Sequence, residues 1–554
     1  MPSHFIPWTS WHSEVIIFFA VFFSTWILLF RLLSNNLTQK VNLPYLVLPF
    51  MVMAAIAVVQ LVTGVMTFGG DALIFCFYGV LCILSLIFGF SSSQQKQFSD
   101  TTTLAGNDRD LTLTFFAIIF ILGSFLSVIV ALVQVFELWE HSAWINRMPQ
   151  LRRPGGNLAQ PNHLATLVLM GLGSLLFVFE SGKLTKLLSI LLLLVMCIGL
   201  AITESRTGAL SLLLLWFWWS IKKNEITFRV SPWFVFFSII CFLSLFWYWP
   251  SIYTFIQQDL DVGAGVNTKA GLRLVVWPQL LEAVSHSPWG GWGLGEVVKA
   301  HNSVVHNYWV SEPFSYAHNI LLDMALGIGV PLTIVFVLST VVWLWRRSML
   351  VADLQPWYCL AVALPLVVHS MFEFPFSYAY FLAPVLFAVG VLEGKLKPDL
   401  GFAIDARLAV MPLFAITVLA SWSIVEYMEI EEDFRIARFE ALNIGQKPVN
   451  YVAPNVVLLT QLKVLLTSTR IAPKPGMTTD ELDTVKKAAL RYPWSATQHR
   501  YALCLALNGN GDEAIRQLKV IRALHGEKFY QQVKKHWLTL GEISFPQLKL
   551  LIMP

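Results

Sequence analysis

The stretch Arg152-Arg153-Pro154-Gly155-Gly156-Asn157-Leu158-Ala159-Gln160-Pro161-Asn162-His163-Leu164-Ala165 opens onto the apolar run Thr166-Leu167-Val168-Leu169-Met170. Two arginines, a glycine pair and several hydrogen-bonding side chains thus stand at the mouth of a helix apolar enough to sit in hydrocarbon. Charged and amide groups are costly at such a place and need a reason to be there. The pattern predicts a membrane span near 158–179 that holds an anionic or sugar-bearing ligand at its outer end. Gln160 and Asn162 stand about half a turn apart. Pro161 is expected to break the backbone ladder between them, freeing carbonyls that only a cavity or neighbouring protein can satisfy.

The rest of the chain agrees with a membrane setting. Of its 554 residues 56% are hydrophobic and 13% charged, and the mean hydropathy is +0.64; soluble domains carry about 25% charged residues. Apolar runs recur near 14–33, 44–63, 71–90, 111–136, 158–179, 184–202, 207–221, 232–250, 319–345, 356–372, 376–392 and 408–425. Runs of this length separated by short polar loops predict an all-α, polytopic helical membrane protein of about twelve spans. The run at 207–221 is short, and a further half-buried helix is expected within 251–317. No cleavable signal peptide is evident, because the first run lacks a basic flank and a small-residue cleavage site. The net charge of +4 says little about partners, and no nucleic acid is expected among them. Six cysteines argue against a disulfide framework: Cys76, Cys82, Cys197, Cys241 and Cys359 fall in apolar runs, and Cys504 stands alone in the polar tail.

Lys and Arg placement gives the orientation. Alternate loops carry Arg31 and Lys40, Lys96 and Arg109, Lys183 and Lys186, Lys222, Lys223 and Arg229, Arg346 and Arg347, and Lys395, Lys397 and Arg407. These read as cytoplasmic. The opposite loops near 64–70 and 373–376 have no Lys or Arg. Both termini are therefore expected outside. Basic residues on that outer face are few: Arg147, Arg152, Arg153, Arg206, Lys269, Arg273 and Lys299. All violate the positive-inside bias, which points to an external anion site.

Past about residue 425 the composition changes. Glu426, Glu429, Glu431, Glu432, Asp433, Arg435 and Arg438 carry the last apolar helix on as a solvated one. Thr478-Thr479-Asp480-Glu481 reads as a capping box. A second helix is expected from Trp494 to Leu507, and a third from Asp512 to Leu524 after the turn Asn508-Gly509-Asn510-Gly511. This resembles one unit of the tetratricopeptide type. The expected division is 1–425, a transmembrane catalytic domain with a large outer loop at about 251–317, and 426–554, a soluble helical domain.

Five polar elements fall on the outer face under this topology. The arginine stretch is the first. The second is Glu204-Ser205-Arg206-Thr207-Gly208, where Arg206 is costly against lipid and Gly208 permits close helix approach. The third is the 251–317 loop, with Arg273, Trp277 and the glycine-rich segment Pro288-Trp289-Gly290-Gly291-Trp292-Gly293-Leu294-Gly295, whose backbone N–H groups can face an anion. The fourth is Tyr316-Ala317-His318-Asn319; a histidine at a helix start can stay neutral and act as a base. The fifth is the corner from His369-Ser370 through Glu373 to Tyr378 and Tyr380. His301 and His306 read as surface histidines of a flexible loop. No HExxH, CxxC pair or carboxylate cluster of ligand spacing is present, so no metal and no cofactor are expected.

In order and sidedness these motifs resemble the bacterial protein O-oligosaccharyltransferases (PglL-type), relatives of the O-antigen ligases and O-antigen polymerases. The resemblance lies in Arg153 through Ala165, Ser205-Arg206-Thr207-Gly208, Arg273 with Trp277, Tyr316 through Asn319, and His369 through Tyr380, and covers roughly residues 150–400. One departure is Glu373-Phe374-Pro375, where the family leads one to expect a tyrosine in the middle position. The resemblance implies en bloc transfer of a glycan from an undecaprenyl-diphosphate carrier to a Ser or Thr hydroxyl of a periplasmic protein, often a pilin, by a metal-independent inverting displacement. It implies a multi-pass protein of the bacterial inner membrane whose active site and helical tail face the periplasm. Arginines suit a lipid diphosphate because they present planar forks and stay charged, so Arg206 and Arg273 are the expected leaving-group ligands and His318 the expected base. Arg153, Gln160, Asn162, Glu373 and Tyr378 are the expected substrate-binding residues. An O-antigen ligase or polysaccharide polymerase uses similar chemistry on a sugar hydroxyl. A transporter or flippase would show matching repeats and midplane polar groups, and the sequence shows neither.

Overall fold

The computed structural model describes residues 7–34, 40–94, 108–138, 145–146, 148, 152–257, 271, 273–441 and 451–554. Lys96, Arg147 and Lys269 lie outside them. The chain is a polytopic helical membrane protein. Among the described residues nine helices are long and apolar enough to cross a bilayer, from Trp11–Ser34 to Ala406–Glu440, and two shorter apolar helices are Lys186–Ile202 and Leu354–Ser370. The chain divides into two compact units.

The first unit comprises Met1–Phe50, Val80–Thr268 and Thr340–Leu413. The helix Pro161–Glu180 is mostly buried in its core and packs against the helices Asp108–Val135, Lys186–Ile202, Arg206–Lys222 and Leu354–Ser370. Small residues allow this closeness: a Cβ on Gly208 would stand 3.0 Å from the Cβ of Ala165. Aromatic packing completes it, with Tyr358 stacked on Phe177 at 4.3 Å and its hydroxyl hydrogen-bonded to Ser174 at 2.8 Å.

Loop contacts within this unit fall into two groups. The strand Lys40–Pro44 pairs antiparallel with Gly401–Asp405. Glu180 accepts the backbone N–H of Val230 at 2.9 Å, and Arg347 pairs with Glu393. All three contacts join segments read as cytoplasmic. At the other end Arg152 meets Glu204, Asn162 meets Glu373, and Glu14 accepts the N–H of Ala379 at 2.9 Å.

The second unit comprises Met51–Gly79, Lys269–Ser339 and Phe414–Pro554. The tail forms the helices Thr460–Arg470, Thr479–Arg491, Ser495–Leu507 and Gly511–Ile543. Thr478 and Glu481 make the expected reciprocal capping box. The last helix runs well past Leu524, through a break at Gly526 (φ +82°). Glu426, on the helix leaving the hydrophobic segment, takes the backbone N–H groups of Val457, Leu458 and Leu459 with its carboxylate. It thereby caps the start of the helix Thr460–Arg470, as a carboxylate at a positive dipole end should. Within this unit the tail packs on the 251–317 segment: Ser311 N–H donates to the Ala523 carbonyl at 2.9 Å, and Arg516 donates to the Asn302 carbonyl at 3.0 Å. Arg491 also pairs with Asp71 at 2.8 Å. Within this unit the tail is thereby joined both to residues 302–311 and to Asp71.

Three expectations are corrected. The span expected at 319–345 is two helices, Ile320–Ile328 and Val330–Leu350. They break at Gly329 (φ +81°), where a Cβ would stand 2.3 Å from the Trp289 carbonyl oxygen and where Val330 N–H donates to Pro288 instead of continuing the ladder. Pro161 does not interrupt a helix but begins one: it occupies the first helical position, where the N–H it lacks would be unpaired anyway. Within 251–317, where a half-buried helix is expected, the described residues include two, Arg273–His286 and Val297–Val304, and the histidine readings there are the third correction. His301 is accordingly a buried core residue, 2% exposed. Its Nε2 lies 2.9 Å from Gln279 Oε1 and 3.1 Å from Ser311 Oγ. His306 is half-buried rather than a surface residue.

Candidate active site

The first unit gathers six of the eight expected residues. Gln160 is the N-cap of the helix Pro161–Glu180, and its side-chain oxygen accepts the N–H of His163 at 2.9 Å. This fixes the helix start and leaves the amide nitrogen as a donor. One residue inside the helix, Asn162 links two charged groups. Its oxygen accepts from Arg153 Nη2 at 3.5 Å and its nitrogen donates to Glu373 Oε1 at 3.3 Å. Glu373 is itself buried, and its backbone N–H donates to the His369 carbonyl. Arg153 Nε also donates to the Thr203 carbonyl at 2.9 Å, which joins the arginine stretch to the turn before Arg206.

That turn is built by its own sequence. Ser205 caps the helix Arg206–Lys222 by accepting the N–H of Gly208 at 3.0 Å, so Arg206 stands exposed at the first helical position. Arg152, Arg153, Arg206 and Glu204 share one electrostatic neighbourhood. Burial lowers the Arg153 pKa, Glu204 opposes the shift, and Arg206 and Arg152 reinforce it. Such a concentration of guanidinium at a helix end favours an anion with several oxygens.

Tyr378 stands beside this cluster, its ring 4.8 Å from that of His163 and 6.1 Å from that of Phe374. The Tyr380 hydroxyl lies 3.3 Å from His163 Nδ1, and His369 Nδ1 lies 2.6 Å from Thr166 Oγ1. His163, Thr166 and His369 therefore make a buried polar layer beneath the arginines. His163, Glu204 and Thr166 are not among the site residues expected from the sequence. Their recurrence at i, i+3 on one helix face, His163 with Thr166, was the available signal.

Arg273 and His318 lie in the second unit. Arg273 is the first residue of the helix Arg273–His286. His318 adopts φ +56°, a strained conformation for a residue with a Cβ. Its neighbours hold it there. Trp277 Nε1 donates to the Ala317 carbonyl at 2.8 Å, Asp323 Oδ1 accepts the Ala317 N–H at 3.0 Å, and Asn319 caps the next helix. His318 Nδ1 lies 3.0 Å from the Tyr316 carbonyl oxygen. A carbonyl only accepts, so Nδ1 carries the proton and Nε2 carries the lone pair. Burial, with a smaller contribution from Arg273, lowers the His318 pKa to about 4. The imidazole is thus neutral at pH 7. Among the described residues no group of three His, Cys, Asp or Glu side chains stands where it could hold a metal ion.

Three family models match along the chain: protein glycosylation ligase over residues 154–179, O-antigen ligase over 191–337, and the C-terminal part of virulence factor membrane-bound polymerases over 357–539. The general O-oligosaccharyltransferase of Acinetobacter baylyi is 24% identical over 544 residues, 96% of this chain and 91% of that protein. This chain is similar to the bacterial O-oligosaccharyltransferases and, over residues 191–337, to the O-antigen ligases. The ComP-specific O-oligosaccharyltransferase of the same organism is 27% identical over 362 residues, 64% of this chain and 62% of that one, a little under two thirds of its length. The matched segments carry the polar clusters. The first family model includes Gln160 and Asn162, the second includes Arg206, Arg273 and His318, and the third includes Glu373, Tyr378 and most of the tail.

Proposed function

We propose that the protein is a glycosyltransferase that moves an oligosaccharide en bloc from undecaprenyl diphosphate to a Ser or Thr hydroxyl of a periplasmic protein, a pilin among the candidates. The observation that carries this reading is an arginine cluster at a membrane-helix end in a chain similar to O-oligosaccharyltransferases over nearly its whole length. We place the active site and residues 426–554 on the periplasmic side of the inner membrane, and keep residues 1–425, with the outer loop at about 251–317, as the catalytic domain.

The proposed chemistry is a displacement at the anomeric carbon. The acceptor hydroxyl oxygen bonds to that carbon as its bond to the diphosphate oxygen breaks. The bonding pair stays with the diphosphate, where Arg206 and Arg273 offset the developing charge. The hydroxyl proton passes to Nε2 of His318. Arg153, Gln160, Asn162 and Glu373 orient the diphosphate and the first sugar, and Tyr378 offers an aromatic face to the glycan. A base of pKa about 4 is weak on its own. Burial is the main cause and Arg273 a smaller one; the negative charge of a bound diphosphate would favour the imidazolium and so raise the basicity of His318.

The match to O-antigen ligases favours one second reading, transfer to a sugar hydroxyl. The test is in vitro transfer from lipid-linked glycan, with a pilin and a lipid A core offered as competing acceptors. Glycan on Ser or Thr of the protein supports the proposal; glycan on the lipid core alone supports the second reading.

A further inference from the structure

Arg152 and Glu204 come from two separate loops of the first unit and form a bidentate ion pair. Arg152 Nε lies 2.7 Å from Glu204 Oε1 and Nη2 lies 3.2 Å from Oε2. Both side chains are buried, 11% and 3% exposed. Both residues also adopt positive φ, +56° and +47°. A residue with a Cβ rarely occupies that region, and it persists only where surrounding structure holds it. Two strained loop residues thus meet through their side chains beside Arg153 and Arg206.

The pairing has a consequence for charge. The neighbourhood holds three guanidinium groups and the Glu204 carboxylate. Burial raises the Glu204 carboxyl pKa, and the hydrogen bond from Arg152 and the charges of Arg152 and Arg153 oppose this. An enzyme that grips a diphosphate in the transition state must also release it as product. Each further guanidinium fork would strengthen both interactions.

We propose that Glu204 is a positioning residue that limits the diphosphate affinity of this cluster by engaging the Arg152 fork, leaving the phosphate oxygens to Arg153 and Arg206. This rests on the diphosphate reading above. Product release then stays fast because the third guanidinium is committed to a protein carboxylate.

Removing the carboxylate should release Arg152 to the ligand. Glu204→Gln is expected to bind inorganic diphosphate about tenfold more tightly, the effect of one added charge-assisted contact. In transfer assays the donor KM and kcat should both fall, because product leaves more slowly. A structural defect would lower kcat without tightening diphosphate. The double variant Glu204→Gln/Arg152→Gln removes both charges and should return the affinity to that of the wild type. The loop backbone is held separately, since Trp249 Nε1 donates to the Arg152 carbonyl, and replacing both members of a buried pair is far milder than removing one. Glu204→Asp keeps the charge but shortens the reach, and should tighten binding less; it decides the matter if Glu204→Gln does not fold.

The measurement is calorimetric titration of inorganic diphosphate into the full-length protein in nanodiscs, with Arg206→Gln made in parallel. Unchanged or weaker binding in the Glu204 variants, with wild-type binding intact, overturns the proposal. So does tightening that persists in the double variant. No diphosphate binding by the wild type, and no effect of Arg206→Gln on donor KM, would overturn the diphosphate reading itself and this proposal with it.

Discussion

Trp277 donates its indole N–H to the carbonyl oxygen of Ala317, the residue before His318, at 2.8 Å. The bond fixes the peptide that leads into a strained left-handed residue. Asp323 holds the N–H of the same Ala317. Trp277→Phe retains the ring and loses the donor. A single such bond is worth about 1 kcal/mol, so kcat is expected to fall about fivefold with donor KM nearly unchanged. Steady-state kinetics on the purified variant decide it. A change confined to KM would mean that Trp277 serves donor binding rather than the His318 corner.

His318→Ala should abolish transfer while protein level and lipid-linked donor remain normal. The pH profile is more telling. The imidazole must be neutral to take a proton, and burial lowers its pKa to about 4 in the free protein. The acid limb of kcat/KM should therefore fall near pH 4, not near the ordinary histidine value of about 6.5. The acid limb of kcat should lie higher, because the negative charge of a bound diphosphate favours the imidazolium. Coincident limbs would remove the proposed coupling between donor charge and base strength.

His301 makes a prediction about stability. Its Nε2 donates to Gln279 Oε1, because the amide oxygen only accepts, and burial keeps the ring neutral at pH 7. Burial lowers its pKa to about 4, while the unfolded chain takes up a proton at about 6.5. The unfolded state thus binds more protons over the window from about pH 6.5 to about pH 4, and stability falls as pH falls through it. The loss attributable to this group is on the order of 3 kcal/mol. His301→Gln should flatten the fall in Tm between pH 7 and pH 5 relative to the wild type. An equal fall in both proteins would assign the acid sensitivity elsewhere.

The sidedness inferred from charge is also testable, and the structure changes where to test it. Asn302 is buried against Gln517 and Arg516, so a label there would report packing. Ser285 and Asn510 are exposed. With the six native cysteines replaced, Ser285→Cys and Asn510→Cys should both react with an impermeant thiol reagent added from the periplasmic side. Protection of Asn510→Cys alone would conflict with the contacts that join the tail to the 251–317 segment.

These contacts show where the sequence was and was not legible. Hydrophobic runs located the helix Pro161–Glu180 and most of the other spans, because burial in lipid imposes a length and a polarity that composition records directly. The break at Gly329 was hidden, since the apolar run continues across it; it shows only in the left-handed φ of the glycine and the Trp289 carbonyl packed where a Cβ would stand. His301 was misread for a related reason. A polar segment looks solvated when the tail that covers it lies more than 200 residues downstream. The arginines stood out because they oppose the charge bias of their loop. Glu204 did not, because an acidic residue in a turn is ordinary until Arg152 is found on it.

Arg206 and Arg273 provide the last test. If they clamp the leaving diphosphate, charge alone is insufficient. Arg→Lys keeps the charge and loses the planar fork, so either Lys variant should impair transfer. A charge-assisted contact is worth roughly 1.5–3 kcal/mol, and losing one made mainly in the transition state should cost about ten- to a hundredfold in kcat. Lys528, exposed in the tail, serves as the control and should tolerate Ala. Transfer from lipid-linked glycan to the acceptor protein gives the rate, and thermal unfolding of each variant reports its fold. Full activity in both Lys variants would mean that the arginines act as diffuse positive charge. A loss of folded protein without loss of specific activity would make them rim residues that stabilise helix ends.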